Sequence, residues 1–253
     1  MTTKHSLLIC ALALTAGLSS CKKDEEEEPV VPAPTTAQPS NPTPTPADAA
    51  GVLVAVQTSN YITAPFVGEI YQPIGLGIAV FGDFVTPAYI DGGTVSLNGS
   101  AFTKQSNNSY VFQPTATSAT GIDLADHVTW SVSGNAANTI PAINQDAPNV
   151  MPTGPKYTGS TEIGRTADFT VSSAITIENA DSTYYGISSG SVVIKKTAAG
   201  GASVTFTAAE MGTLPTGSGY VQIAPYNIAS QTIAGKKIYF VNESVVTKSV
   251  TIQ

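Results

Sequence analysis

The densest group of side chains that could bind a metal ion or transfer a proton lies at residues 123–127, which include Asp123, Asp126 and His127. Zinc takes three or four nitrogen, sulfur or oxygen ligands at defined distances, and calcium takes six or more oxygens. The segment supplies neither number and leads directly into an apolar run around Trp130. We interpret it as a polar corner before a strand, and we predict no metal site and no cofactor.

A hydrolytic site would need His127 beside a nucleophilic serine and an orienting acid. The letters from Gly186 to Gly190 fit Gly-x-Ser-x-Gly, but we interpret these residues as turn chemistry and not as a nucleophile elbow. The Asp and Glu residues are scattered along the sequence near expected turns, and we interpret most of them as exposed to solvent. We therefore predict no catalytic residues and no enzyme activity. A glycan-active hydrolase is the least favoured alternative.

Aromatic side chains beside loops suggest a different activity, because exposed tyrosine rings can stack on sugars. Tyr184 and Tyr185 precede Gly186, and alternation along an extended chain would turn at least one of the two rings outward. Tyr89 lies in another loop-rich segment. We name Tyr184, Tyr185 and Tyr89 as candidate ligand-contact residues. Packing of these rings into a core or a turn is the alternative.

The N-terminal residues have the layout of a secretory signal. A short positive segment precedes an apolar run from Leu7 to Leu14, which is too short to span a bilayer because that takes about 20 residues. The sequence Leu18-Ser19-Ser20-Cys21 resembles the lipobox of bacterial lipoproteins. The resemblance implies that residues 1–20 are a signal peptide, that cleavage falls between Ser20 and Cys21, and that a lipid on Cys21 holds the chain on a membrane.

A charged run follows the cysteine directly. Lys22 to Glu28 contains two lysines and five acidic residues, and such a run is usually a solvated spacer. Its position resembles the export signal of Bacteroidota lipoproteins that reach the outer face of the outer membrane. The resemblance implies a cell-surface location, with the periplasmic face of the same membrane as the alternative.

Residues 21–49 are interpreted as the lipidated cysteine, the acidic run and a proline-rich linker. The prolines between Pro29 and Pro46 alternate with Thr, Ala and Ser, a composition that cannot bury a core. In polyproline II such a segment extends by about 3.1 Å per residue and would act as a stalk. From Ala50 onward eight Lys and Arg face twelve Asp and Glu, so the folded part offers no basic surface for nucleic acid.

From Gly51 the chain changes to short runs rich in Val, Ile, Thr and Tyr, separated by Gly, Pro, Asn and Ser. Several runs alternate cleanly, as in residues 203–207, where Val204 and Phe206 would share one face. Strands at this spacing without a long helical pattern predict an all-β sandwich fold. A capping-box sequence at Thr207 to Glu210 predicts one helical turn between two strands.

The two halves of this region are similar to each other. Five short segments recur in the same order at offsets near 94 residues, for example Gly92–Leu97 with Ser189–Ile194. We infer two tandem modules, residues 50–150 and 153–253, with common strand composition as the alternative. Strand number, module length and tandem order resemble the immunoglobulin-like modules of Bacteroidota surface lipoproteins, and Trp130 would be the core tryptophan of the first module.

These observations predict an outer-membrane lipoprotein that displays two immunoglobulin-like sandwiches and is not an enzyme. Its role would be adhesion or binding of a glycan or a surface protein, which predicts a contiguous exposed aromatic patch on one sandwich. The alternative is a structural spacer of the envelope without a ligand, which predicts polar faces without such a patch.

Overall fold

The computed structural model describes residues 47–84, 88–115, 118–125, 127–201 and 203–253. The predicted signal peptide, the cleavage site at Ser20 and Cys21, the acidic run and nearly all of the linker lie outside the described residues. Within the described part, to which the strand counts below refer, nearly all of the regular secondary structure is β-strand, and the all-β prediction is confirmed.

The first half contains nine strands and a short 3₁₀ turn at Ala136–Asn138. The strands are β1 (Gly51–Ala64), β2 (Gly68–Asp83), β3 (Ala88–Tyr89), β4 (Val95–Leu97), β5 (Ser100–Ala101), β6 (Thr103–Lys104), β7 (Tyr110–Phe112), β8 (Thr129–Val132) and β9 (Ile143–Asp146). The first two are much longer than the others.

The second half contains seven strands and one short helix. They are β10 (Glu162–Ile163), β11 (Phe169–Val171), β12 (Ser182–Ser189), β13 (Val192–Ala199), β14 (Val204–Phe206), α1 (Ala208–Met211), β15 (Gly217–Ile233) and β16 (Lys236–Ile252). The predicted capping box at α1 is confirmed, because Thr207 Oγ1 accepts from the N–H of Glu210 and the Glu210 carboxylate accepts from the N–H of Thr207.

One large sheet runs through both halves of the chain. Its strand order is β13-β12-β15-β16-β1-β2-β7-β6, with β10 beside β16 and β3 beside β2. The halves join where β1 pairs in parallel with β16, from Gly51 opposite Ile238 to Thr58 opposite Val245. This pairing differs from that of two separate sandwiches, because the first strand of the body is bonded to the last.

The first core lies between the large sheet and a four-stranded sheet of order β5-β4-β8-β9. We call the side of the large sheet that faces this core the inner face, and the opposite side the outer face. Leu53, Phe81 and Phe240 project from the inner face onto Leu97 and Trp130 of the small sheet. Trp130 is fully buried and meets Phe102 edge to face at 5.5 Å, so its predicted position in the core is confirmed.

The second core lies farther along the same inner face. Tyr185, Val221 and Val250 of the large sheet pack there with Phe206 of the two-stranded β11–β14 sheet and with Met211 of α1. Since β15 and β16 are each 17 residues long, both strands contribute side chains to both cores. The long strands therefore make a single body of two cores.

A polar strip separates the two cores. The connecting segment crosses the inner face here, and its carbonyls accept hydrogen bonds from buried side chains. Asn242 Nδ2 donates to Asn149 O at 2.6 Å, Asn227 Nδ2 to Val150 O at 2.7 Å and Ser244 Oγ to Pro152 O at 2.7 Å. The predicted boundary at residues 150–153 coincides with this crossing.

The internal similarity does not correspond to equivalent strands. Val95 lies in the four-stranded sheet, whereas its counterpart near Val192 lies in the large sheet. Likewise, Trp130 lies in the four-stranded sheet and its counterpart Ile223 in the large sheet. The two halves thus have different strand orders.

Candidate functional site

A two-stranded arm extends from the large sheet. We define it as residues 59–73, the part of the β1–β2 hairpin beyond the end of the β1–β16 pairing at Thr58. Within the arm β1 and β2 stay paired, from Ser59 opposite Pro73 to Ala64 opposite Gly68. On the other side β2 pairs with β7 only at residues 77–79. The arm is therefore a ribbon without a third strand among the described residues.

The arm concentrates exposed apolar surface. Phe66 is fully exposed and Val67 is 73% exposed at the tip, while Ile62, Ile70 and Tyr71 are 49%, 44% and 42% exposed. These are five of the eight exposed large hydrophobic residues in the described chain. Apolar patches of this kind usually mark interaction sites, whereas single exposed hydrophobic residues need no explanation.

The two faces of the arm differ in chemistry. Strand alternation places Ile62 and Ile70, which are cross-strand partners, on the outer face. Tyr61 and Tyr71 pair on the inner face, with ring centroids 5.2 Å apart. The outer face is aliphatic and open, while the inner face is aromatic.

The inner face of the arm is held against the second half of the body. Lys156 forms an ion pair with Glu69 and lies 5.1 Å from the centroid of the Tyr61 ring. Tyr71 Oη accepts from Gln57 Nε2 at 2.9 Å. Burial, followed by the nearby Tyr71 and Glu69, raises the pKa of Tyr61. These contacts fix the direction of the arm.

The turn at the tip is conformationally unusual. Phe66 has φ of 69° and Gly68 has φ of 88°. Glycine tolerates this region, but a bulky side chain rarely adopts it. Phe66 is thus held in an unfavourable backbone conformation and gains no burial within the chain in return.

The start of the described chain lies at the opposite end of β1 from the arm. Asp48 Oδ2 is 2.6 Å from Lys237 Nζ, and Asp48 Oδ1 accepts from Tyr239 Oη at 2.8 Å. β1 has 14 residues, so at about 3.3 Å per residue it separates the arm tip from this end by roughly 45 Å.

The prediction that a ring of Tyr184 or Tyr185 faces outward is wrong. Both residues lie inside β12, with 1% and 0% exposure. Tyr185 belongs to the second core, and Tyr184 packs with Ala224 and Val245 on the outer face. Alternation does send the rings to opposite faces, but the side chain is buried on each face. Desolvation raises the pKa of Tyr184 to about 12.

Tyr89, the third candidate, is partly buried in β3. Its ring centroid lies 6.1 Å from that of Phe84, and its buried hydroxyl has no hydrogen-bond partner among the described residues. Burial raises the pKa of Tyr89. The ring packs against the body and presents little surface to a ligand.

The corner at His127 is organised around a backbone bridge. Asn98 Nδ2 donates to the carbonyls of Asp123 and His127, at 2.6 and 2.7 Å, and Asn98 Oδ1 accepts from Thr129 N at 2.7 Å. Asp126 lies outside the described residues. Within those described, no three His, Cys, Asp or Glu side chains gather in a way that could hold a metal ion.

The serine of the Gly-x-Ser-x-Gly sequence is a strand residue. Ser188 is fully buried in β12, opposite Tyr220 of β15. A nucleophile elbow instead requires an exposed serine at a sharp turn between a strand and a helix. Only Gly190, with φ of 54°, belongs to a turn, so the turn prediction for residues 186–190 is wrong for most of the segment.

A shallow cleft of about 380 Å³ lies on the second half, between β10, β15 and β16. Hydroxyl groups, one carboxylate and one aromatic ring line it: Thr161, Glu162, Ser218, Tyr220, Ser249 and Thr251. The lining contains a single carboxylate and no imidazole or thiol, and the cleft is less distinctive than the arm.

The arm was not among the sites predicted from the sequence. The available signal was the apolar content of residues 61–71, where Pro65 and Gly68 mark a turn. Such residues are expected in a core by default, because apolar strand residues are usually buried.

No helix among the described residues is long and apolar enough to cross a bilayer. No protein-family model, no curated protein and no solved structure matches the chain.

Proposed function

We propose that this chain is a lipid-anchored display protein that binds another protein through the arm and has no catalytic role. The observation that carries the proposal is the apolar arm: five exposed large hydrophobic residues on one braced hairpin. A binding role was expected to show an exposed aromatic patch on one sandwich, and a spacer was expected to have no patch. The arm supports binding through a patch of a different kind, which is mainly aliphatic and includes the rings of Phe66 and Tyr71.

The direction of the arm supports display. If a lipid on Cys21 holds the chain to a membrane, the linker enters the body beside Lys237 and Tyr239. The arm tip lies at the other end of β1, so it would face away from the attached surface. We propose the outer face of the outer membrane as the location, with its periplasmic face as the alternative.

A protein partner fits the arm better than a glycan does. Side chains that bind sugars combine aromatic rings with hydroxyl, amide or charged groups, whereas the exposed arm is mainly aliphatic, with Phe66 at its tip. The glycan hypothesis was based on Tyr184 and Tyr185, which are buried. Protein interfaces commonly place an apolar anchor at their centre.

The immunoglobulin-like character of the body is also a proposal. In support of it, each core lies between the large sheet and a smaller second sheet, as in a sandwich. Because the two halves have different strand orders, the proposed likeness to an immunoglobulin sandwich concerns the packing of two sheets around each core and not the order of the strands.

The test uses the soluble body, residues 47–253, which contains every described strand and both cores. Fluorescently labelled body is added to intact cells of the source organism. We expect saturable binding that falls at least tenfold in the double variant Phe66→Ser, Val67→Thr and that is lost when the cells are first treated with protease.

The matched control is Val193→Thr, which removes one exposed apolar side chain from β13, an edge strand of the large sheet that does not pair with the arm strands. It should bind like the unmodified body. Absence of binding, or equal binding by the arm variant, would contradict the proposal. Binding that survives protease treatment would instead indicate a glycan or lipid partner.

A further inference from the structure

We infer that the partner of the arm is a second copy of this chain, paired along the open edge of β1 at residues 59–64. The inference rests on the proposed function, because it takes the arm as the contact surface. It adds the identity of the partner and the register of the pairing.

The edge of β1 is open in this segment. Pairing with β16 ends at Thr58, and residues 59–64 are paired only with β2 among the described strands. An open edge presents unpaired N–H and C=O groups, to which another strand can add.

The edge also lacks the features that normally prevent such pairing. Exposed edges are usually protected by proline, charged side chains or bulges. Pro73 protects the β2 side of the arm, but Ser59 to Ala64 contains no proline, glycine or charged residue. The open side of β1 is therefore the side suited to a further strand.

The residue types favour a symmetric register. Two antiparallel copies of β1 related by a two-fold axis at Ile62 would place this residue directly opposite itself. On the outer face, Ile62 and its cross-strand partner Ile70 of one copy would then lie in line with Ile62 and Ile70 of the second copy. Directly opposed side chains lie about 5 Å apart, and β-branched side chains pack well against their neighbours on a pleated surface. The four isoleucines would form one apolar row.

The charge distribution permits self-association. No charged residue occurs between Gly51 and Gly68, and Glu69 is neutralised by Lys156. Two-fold pairing brings each surface against itself, so a charged arm would oppose its own charge. Here no like charges meet.

The area available indicates a reversible dimer. The exposed parts of Ile62, Phe66, Val67, Ile70 and Tyr71 add up to on the order of 600 Å² per copy. Pairing along the β1 edge covers only part of this surface, so the interface is smaller than the roughly 1,200 Å² of a standard specific interface. We expect a dissociation constant in the micromolar range. The contacts of Lys156 hold the arm in place beforehand, which reduces the entropy lost on binding.

The test measures the association of the purified body, residues 47–253, by sedimentation equilibrium over a range of concentrations. Unmodified protein should follow a monomer–dimer equilibrium. Ile62→Lys and Ile62→Glu should each be monomeric over the same range, because the two-fold axis would oppose identical charges. An equimolar mixture of the two variants should dimerise again, since opposite charges would then meet at the axis.

Val193→Lys, at an exposed position of the edge strand β13, should dimerise like the unmodified body, and circular dichroism should show the same fold in every variant. A monomeric unmodified body, dimers of Ile62→Lys alone, or no association in the mixture would each overturn the inference. Binding of the labelled body to cells that lack the gene separates the two proposals. If it persists while the body is monomeric, the proposed function stands with a different partner.

Discussion

Asp91 is a residue whose role follows from three neighbours on different elements. Its carboxylate accepts a hydrogen bond from Tyr110 Oη at 2.5 Å and lies 2.7 Å from Lys104 Nζ. Its carbonyl accepts from Asn138 Nδ2 at 2.9 Å. The ammonium of Lys104, followed by the hydroxyl of Tyr110 and the N–H of Gly93, holds the pKa of Asp91 well below its usual range. Asp91 thus joins β6 and β7 to the 3₁₀ turn.

We expect Asp91→Asn to change the acid stability of the body. A carboxyl group whose pKa is lowered by folding stabilises the protein above its unfolded pKa, about 3.8, and this stabilisation is lost as the pH falls through the lower folded value. The variant should therefore be less stable than the unmodified body at pH 7, and the difference should shrink between pH 4 and pH 2. Urea unfolding at each pH measures it.

Glu162→Gln, on exposed β10, controls for the loss of one negative charge and should unfold like the unmodified body at pH 7. A difference between Asp91→Asn and the unmodified body that stays constant from pH 7 to pH 2 would show that the carboxylate does not contribute through its charge.

At the scale of elements, local sequence patterns predicted the strand and the helix that are stabilised by residues close together in the sequence. The alternation of Val204 with Phe206 predicted β14, and the capping box predicted α1. β12 was missed because it is buried on both faces, so Tyr184 and Tyr185 show no polar alternation. The arm was missed because Ile62 and Ile70 are apolar residues that lie outside any core.

The turn of the arm gives a prediction at this scale. We expect Phe66→Gly to raise the free energy of unfolding by about 1 kcal/mol, because glycine relieves the positive φ at little cost in the folded state. The same change should weaken binding through the arm, since the exposed ring is lost. Urea unfolding and the cell-binding measurement together test both effects.

Val67→Gly is the matched control for this prediction. Val67 is a neighbouring exposed residue without a positive φ, so its replacement removes apolar surface and relieves no backbone strain. It should weaken binding without raising stability. If Phe66→Gly and Val67→Gly have the same stability, strain at the tip is not the cause.

At the scale of the whole molecule, the arrangement depends on pairing between the two ends of the body. Gly51 lies opposite Ile238, and no local pattern indicates which distant strands will meet. The similarity between the halves indicated two independent units, but the strand composition that produced it is common to many β-strands. The sequence therefore predicted the class of fold, but not the shared sheet.

The shared sheet predicts that neither half folds alone. Residues 153–253 without β1 would expose the edge of β16 from Ile238 to Val245, together with Ile238 and Phe240, which belong to the first core. We expect this fragment to aggregate when expressed alone and to be soluble as a 1:1 complex when co-expressed with residues 47–152, because the second fragment restores the missing strand and core. Size-exclusion chromatography and circular dichroism measure both outcomes, with the intact body as the reference. A monomeric fragment of residues 153–253 that unfolds cooperatively would instead show that the second core is a domain of its own and that its pairing with β1 is dispensable for folding.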